Sequence, residues 1–96
     1  MPAPLTASQR KQARALAHHI EPSVRVGQGG VSEGVLGAVR QALLDHELIK
    51  VRLQEPEDKK GMARALASGT GAELCGLVGH TVILYKRHPE LPRVSL

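Results

Sequence analysis

The chain has very few aromatic residues: one tyrosine, no phenylalanine and no tryptophan among its 96 residues. Its core must therefore be aliphatic, since the large buried areas that aromatic rings supply are missing. The same shortage excludes a nucleic-acid surface that stacks bases on rows of aromatic rings. A chain of this length has room for one domain with one core.

Cysteine and long apolar runs are scarce as well. Only Cys75 is present, so no disulfide can form within the chain, and we expect a reducing, cytoplasmic location. No apolar run approaches the roughly 20 residues that span a bilayer, and the N-terminal residues lead into basic ones without an apolar signal segment. We therefore expect no membrane partner.

Positive charge is in excess, with 13 Lys and Arg against 9 Asp and Glu, a net charge of +4. This balance favours an anionic partner, although basic residues on a helix are also typical of a solvated face. A further basic cluster lies at Lys59, Lys60 and Arg64. The candidate contact residues are Arg10, Lys11, Arg14, Arg25, Lys50, Arg52, Lys86 and Arg87.

Hydrophobic periodicity predicts the order helix, strand, helix, strand, helix, strand, strand. Capping residues support the helix starts: Thr6 with Gln9, then Ser32, then Asp58 or Glu57. The predicted helices are 7–19, 33–46 and 59–68, and the predicted strands are 23–26, 48–53, 73–78 and 81–86.

Two strand–helix–strand units predict parallel pairing, and the turn Gly79-His80 predicts a final antiparallel hairpin. In strand 48–53 apolar residues alternate with Lys50 and Arg52, which predicts helices on one face and a wet, basic opposite face. Gly76 indicates a bulge or a sheet edge. The expected fold is an α/β domain with a four-stranded mixed sheet and helices mainly on one face. The proline-containing tail is expected to contribute nothing to the core.

The loop Gly27-Gln28-Gly29-Gly30 lies between a predicted strand and a helix start. Glycines allow positive φ and close backbone approach, and a helix start offers free N–H groups, so phosphate is a suitable guest. A tight connection is the plain alternative. The match to a dinucleotide-binding loop is partial and the chain is short for one, while the Lys-Ser/Thr pair of a P-loop is missing. A GxxG loop holding a polynucleotide backbone is the remaining possibility.

Groups suited to catalysis or metal binding are poorly arranged. His18 and His19 diverge by about 100° on a helix, and the other histidines have no ligand spacing with them. Cys75 falls in a predicted strand, where we expect a small buried hydrophobic residue rather than a nucleophile. We therefore expect no catalytic residue, metal, cofactor or small-molecule substrate, and a protein that is not an enzyme.

Several segments together resemble the CRM domain family (chloroplast RNA splicing and ribosome maturation), including its single-domain bacterial YhbY-type members. They are residues 5–16, Glu21-Pro22, VGQGGV (26–31), EGV (33–35), HELIKV (46–51) and VGHTVILYKR (78–87). The resemblance divides the chain into an N-terminal extension (1–4), a CRM-type domain (5–87) and a C-terminal tail (88–96).

The resemblance implies an RNA-binding αβαβαββ fold similar to the C-terminal domain of the third bacterial translation initiation factor. It assigns RNA contact to Gly27, Gln28, Gly29 and Gly30. It also implies a non-catalytic protein that binds ribosomal RNA in large-subunit (pre-50S) precursors and assists ribosome assembly, and we expect a monomer. The alternatives are a module that docks on a ribosomal protein or factor, and an RNA binder of the group II intron splicing type.

Overall fold

The computed structural model describes residues 4–96, so residues 1–3 of the predicted N-terminal extension lie outside it. The described residues form three helices and four strands in the predicted αβαβαββ order, and every boundary lies close to its predicted position. The elements are α1 (Ala7–Ala17), β1 (Pro22–Val26), α2 (Glu33–His46), β2 (Leu48–Leu53), α3 (Lys59–Thr70), β3 (Glu73–Val78) and β4 (Thr81–Tyr85).

Each helix begins after a predicted capping residue. The Thr6 hydroxyl accepts from the Gln9 N–H at 3.1 Å, and the Gln9 side chain accepts from the Thr6 N–H at 2.8 Å, which completes the predicted capping box. Ser32 and Asp58 accept from backbone N–H groups three residues on, at 3.2 and 3.0 Å. Because these bonds satisfy N–H groups that a helix start leaves free, they fix where the helices begin.

The sheet has the strand order β1-β2-β4-β3. Strands β1 and β2 are parallel as predicted, and β2–β4 and β3–β4 are antiparallel. A second parallel pair was expected through α3, and this expectation is wrong, because β4 turns back from β3 and inserts beside β2. The turn Gly79-His80 consequently lies at the end of the sheet where β1 and β2 finish.

Helices α2 and α3 cover one face of the sheet and enclose the main core. The alternation predicted in β2 is confirmed, since Ile49, Val51 and Leu53 are buried in this core. Fully burying each such side chain contributes roughly 1.5–3 kcal/mol. The helices supply Val39, Ala42, Leu43, Ala63, Leu66 and Ala67.

Helix α1 packs on the opposite face, which was expected to be wet throughout. Ala13 and Ala17 bury themselves against Leu48, Ile83 and Tyr85, and we call this group, together with Cys75, the α1 cluster. The expectation is therefore wrong for the half of this face near Leu48 and Tyr85. The other half, which carries Arg25, Lys50 and Arg52, is not covered by α1, and we call it the open face.

Strand β3 is an edge strand and contains a register shift between Leu74 and Gly76, so both features anticipated from Gly76 are confirmed. The aliphatic part of Arg14 lies against this glycine: a Cβ there would come within 2.7 Å of Arg14 Cδ. The missing side chain thus lets α1 approach the bulged strand.

The tail does contribute to the core, contrary to expectation, because Val94 and Leu96 pack against the α1 cluster. Its anchor is Glu47, a fully buried residue with φ 62° between α2 and β2. The Glu47 carboxylate accepts from the backbone N–H groups of His88 at 2.9 Å, Val94 at 2.7 Å, and Arg93. Burial raises the pKa of Glu47, but these three bonds and the Arg93 charge together hold it below its ordinary value of 4.5.

Candidate nucleic-acid interface

The Gly27–Gly30 loop forms a tight turn at the end of β1. The Gly30 N–H donates to the Gly27 carbonyl at 3.1 Å, and Gly30 has φ 70°, a conformation that favours glycine. Gln28 and Gly29 lie exposed at the tip of the turn. A Cβ on Gly29 would meet no atom within 4 Å, so the backbone here is open to a ligand.

The N-terminus of α2 begins just after this loop. Ser32 Oγ accepts from the Val35 N–H, and its carbonyl accepts from the Leu36 N–H. The N–H groups at the start of the first turn point away from the helix and carry the positive end of its dipole. Glu33 already places one carboxylate in this turn. The helix start is therefore a favourable neighbour for an anion at the loop but is not an anion site by itself.

Basic residues face solvent together on the open face. Arg25 of β1 lies directly beside Arg52 of β2 in the parallel register, on strands about 4.8 Å apart. Both side chains are exposed, and Lys50, two residues before Arg52, is half-buried on the same face. Like charges side by side across two strands repel each other, so an anion bound to this surface would relieve that repulsion.

A polar groove of about 590 Å³ lies where the loop, the open face and the β3–β4 turn meet. Two backbone hydrogen bonds hold its walls together: Gln54 N–H to the Val26 carbonyl at 2.9 Å, and Leu53 N–H to the His80 carbonyl at 2.8 Å. We call it the end groove, and this end of the sheet the loop end. The polar residues that line it are Arg25, Gln28, Arg52, Gln54, Glu55 and His80.

The three predicted contact residues of α1 differ in their hydrogen bonding. Arg14 lies against Gly76 of edge strand β3 and donates to the Cys75 carbonyl at 2.7 Å, and Arg10 donates to the Leu5 carbonyl at 2.7 Å. Lys11 is exposed on the same helix. Helix α1 thus carries positive charge on the same side of the sheet as the open face, while two of its cations are bound to backbone oxygens.

The structure does not bring Lys86 and Arg87 to the loop end. Strand β4 runs from Thr81, beside Arg52, to Tyr85, beside Leu48, so the two residues follow beyond the opposite end of β4, which lies about 13 Å along the strand from Thr81. Lys86 Nζ donates to the Thr70 carbonyl at 2.8 Å, in the last turn of α3. Its position gives it a structural role at a helix C-terminus, where a cation is favoured.

Comparison with known proteins identifies the family of the chain. The CRS1 / YhbY (CRM) domain matches residues 5–86. The chain belongs to this family. Among curated proteins it is 37% identical over 94 residues to "Probable RNA-binding protein YqeI" of Bacillus subtilis, covering 96% of this chain and 98% of that protein.

Two further relatives of this CRM domain extend the comparison. It is 37% identical over 95 residues to a Haemophilus influenzae protein named "RNA-binding protein", covering 93% of this chain and 96% of that protein. Among solved structures, the solution structure of SAV1595 from Staphylococcus aureus superposes with a TM-score of 0.83 at 33% identity, covering 96% of this chain and 98% of that one.

His80 and Gln54 line the end groove of this CRM domain, although the sequence does not predict either as a contact residue. Gly79-His80 indicates a hairpin turn, but the turn reaches the end groove only because β4 lies beside β2. Lys59 also reaches this turn, donating from Nζ to the Gly79 carbonyl at 3.3 Å. The strand order brings this turn to the groove, and local sequence patterns do not encode strand order.

The groups with shifted pKa values lie away from the loop end. Burial first, and then the nearby Glu73 charge, raise the pKa of the Cys75 thiol to about 11, so it is a poor nucleophile. Burial also raises the pKa of Tyr85, which lies in the α1 cluster. Within residues 4–96 no three His, Cys, Asp or Glu side chains are grouped to hold a metal ion. None of the helices in that range is long and apolar enough to cross a membrane.

Proposed function

We propose that this CRM domain binds RNA at the loop end, with phosphates held by the Gly27–Gly30 loop and the open face. The observation that carries the proposal is the juxtaposition of Arg25 and Arg52 with that loop, with Lys50 two residues farther back along β2 on the same face. Within residues 4–96, the Lys and Arg side chains that donate hydrogen bonds are Arg10, Arg14, Arg40, Lys59, Lys86 and Arg93. The three cations of the open face are not among them and remain available to phosphate.

The contacts available favour the backbone and shape of RNA over stacking on bases. Exposed loop amides and the start of α2 suit phosphate oxygens, and arginine binds phosphate with two parallel hydrogen bonds. The single tyrosine, Tyr85, is buried in the α1 cluster and offers no stacking surface. The names of the relatives support RNA as the partner. Binding by such contacts weakens steeply as salt rises.

The finer proposal is that the RNA is ribosomal, within precursors of the large subunit, and that the protein assists their assembly without catalysis. Its support is the resemblance to the single-domain bacterial members of the family, and the near-complete coverage between this chain and its bacterial relatives. A cytoplasmic location follows from the same proposal.

A charge placed on the loop tests the phosphate site. Gly29→Asp should weaken binding of ribosomal RNA by about tenfold or more, because a carboxylate then faces the phosphates. Gly29→Asn has nearly the same shape without the charge and should lose much less. The open space around Gly29 lets both variants fold, which circular dichroism checks. Filter binding in which the two variants behave alike would contradict the phosphate role of the loop.

Crosslinking in cells tests the ribosomal part. The protein, crosslinked to RNA by ultraviolet light, should yield contacts concentrated in large-subunit ribosomal RNA from precursor particles. The Arg25→Gln/Arg52→Gln variant should lose them. Contacts spread over unrelated RNAs would contradict the ribosomal assignment and leave RNA binding intact. Association with particles that survives nuclease treatment would instead favour docking on a ribosomal protein.

A further inference from the structure

The end groove contains one carboxylate among cationic and amide groups. Glu55 lines it beside Arg25 and Arg52, where a site built only for phosphate gains nothing from a negative charge. The side-chain hydrogen bonds of residues 4–96 include none to Glu55, although Thr6, Ser32, Asp58 and other acceptors are all used. Its oxygens are therefore free to accept from a ligand.

The backbone of Glu55 is in an unfavourable conformation. Glu55 has φ 44°, and within residues 4–96 the only other non-glycine residue with positive φ is Glu47. The conformation of Glu47 accompanies the three bonds that hold the tail. Among the hydrogen bonds of residues 4–96, none to the Glu55 side chain accounts for its conformation in the same way. Residues held in such conformations cluster at binding sites, where the surroundings fix a side chain in position for a ligand.

The other groove residues supply the remaining elements of base recognition. Gln28 and Gln54 carry amides that both donate and accept, and His80 and the two arginines carry planar groups on which a base can stack. A volume of about 590 Å³ is within the range of small-ligand sites. The groove adjoins the Gly27–Gly30 loop, so a nucleotide whose phosphate lies on the loop can place its base in the groove.

The carboxylate selects among the four bases. An ionised carboxylate offers two acceptors and no donor. On its Watson–Crick edge only guanine presents two neighbouring donors, N1–H and the N2 amino group. Adenine, cytosine and uracil each place an acceptor next to a donor. That acceptor would face a carboxylate oxygen, and the two lone pairs would repel each other. A glutamine amide donating to guanine O6 would complete the contact.

We propose that the end groove binds one unpaired guanine of the RNA, with Glu55 accepting from its N1–H and N2 amino groups. This assignment rests on the proposed RNA binding and adds base selection to it. The RNA partner then combines a folded region, held through phosphates on the open face, with an unstacked guanine at the loop end.

Labelled heptanucleotides of the form UUUNUUU, with N each of the four bases, test the site at low salt. The wild-type protein should bind UUUGUUU about fivefold or more tightly than the other three, the low end of what a two-bond base contact provides. Glu55→Gln should abolish this ratio. Glu57→Gln removes the same charge from an exposed position in the same loop and outside the groove, and should keep it.

The ratio of affinities is the readout because a lost negative charge strengthens binding of every oligonucleotide. Equal wild-type affinities for the four heptanucleotides, or a guanine preference that survives in Glu55→Gln, would overturn the guanine site and leave RNA binding standing. Binding of ribosomal RNA without binding of any heptanucleotide would also overturn it. Failure to bind ribosomal RNA as well would overturn the proposed function itself.

Discussion

The two ends of the sheet use their charged residues in opposite ways. At the end opposite the loop, Glu47 binds three backbone N–H groups of the tail and Lys86 binds the carbonyl of Thr70. At the loop end, Arg25 and Arg52 lie side by side and donate no hydrogen bond within residues 4–96. Glu47 and Lys86 thus stabilise the fold at one end, whereas Arg25 and Arg52 at the other end make no such bonds within the described part of the chain.

The largest expected effect is on stability, at the end opposite the loop. Glu47→Ala leaves three partly buried N–H groups without an acceptor, and at about 1 kcal/mol each the free energy of unfolding should fall by about 3 kcal/mol. Urea unfolding measures this. Glu90→Ala, which removes an exposed carboxylate from the tail, should change it by less than about 0.5 kcal/mol.

The loss of stability in Glu47→Ala should not be accompanied by a loss of RNA affinity. Under conditions where Glu47→Ala remains folded, its affinity for ribosomal RNA should equal that of the wild type, because the loop end is unchanged. A parallel loss of affinity would show that the two ends do not act separately.

Acid should reproduce part of the Glu47 effect. Because the pKa of Glu47 is lower in the folded protein than its ordinary value of 4.5, the ionised form favours folding. This contribution is fully present above 4.5 and is lost as the pH falls through the folded pKa. Urea unfolding from about pH 7 to about pH 3 should therefore show the wild type losing more stability than Glu47→Gln. Equal losses would assign the acid sensitivity to other carboxylates.

The smallest effect concerns Lys86. Lys86→Met removes the cation that binds the Thr70 carbonyl at the end of α3, and stability should fall by about 0.5–1 kcal/mol. RNA affinity should change little, although sequence analysis grouped this lysine with the contact residues. Arg87→Gln is the matched control at an exposed neighbour, with little expected change in thermal unfolding. A large loss of RNA affinity in Lys86→Met alone would extend the interface to this end.

Local features of the fold could be predicted because local residues determine them. Thr6, Ser32 and Asp58 cap their helices through bonds that span three residues, and the alternation around Lys50 and Arg52 identifies the faces of β2. RNA contact by the Gly27–Gly30 loop is implied by the family resemblance, and it remains a prediction.

Features that depend on distant segments could not be predicted. Nothing near His80 indicates that β4 inserts beside β2 and carries this residue into the end groove. Glu47, placed between a helix and a strand, is indistinguishable in sequence from an exposed turn residue, yet its partners lie more than 40 positions away. Charge alone also does not separate Lys86, bound to a helix end, from the free cations of the open face.

The dependence of RNA affinity on salt tests the central claim most directly. Two double variants that remove the same charge should be compared: Arg25→Gln/Arg52→Gln at the loop end, and Arg64→Gln/Arg87→Gln at exposed positions elsewhere. If Arg25 and Arg52 each hold a phosphate, the first should reduce the log–log slope by about two and weaken binding by about tenfold, while the second leaves the slope nearly unchanged. Equal slopes for both variants and the wild type would contradict the claim that RNA binds at the loop end.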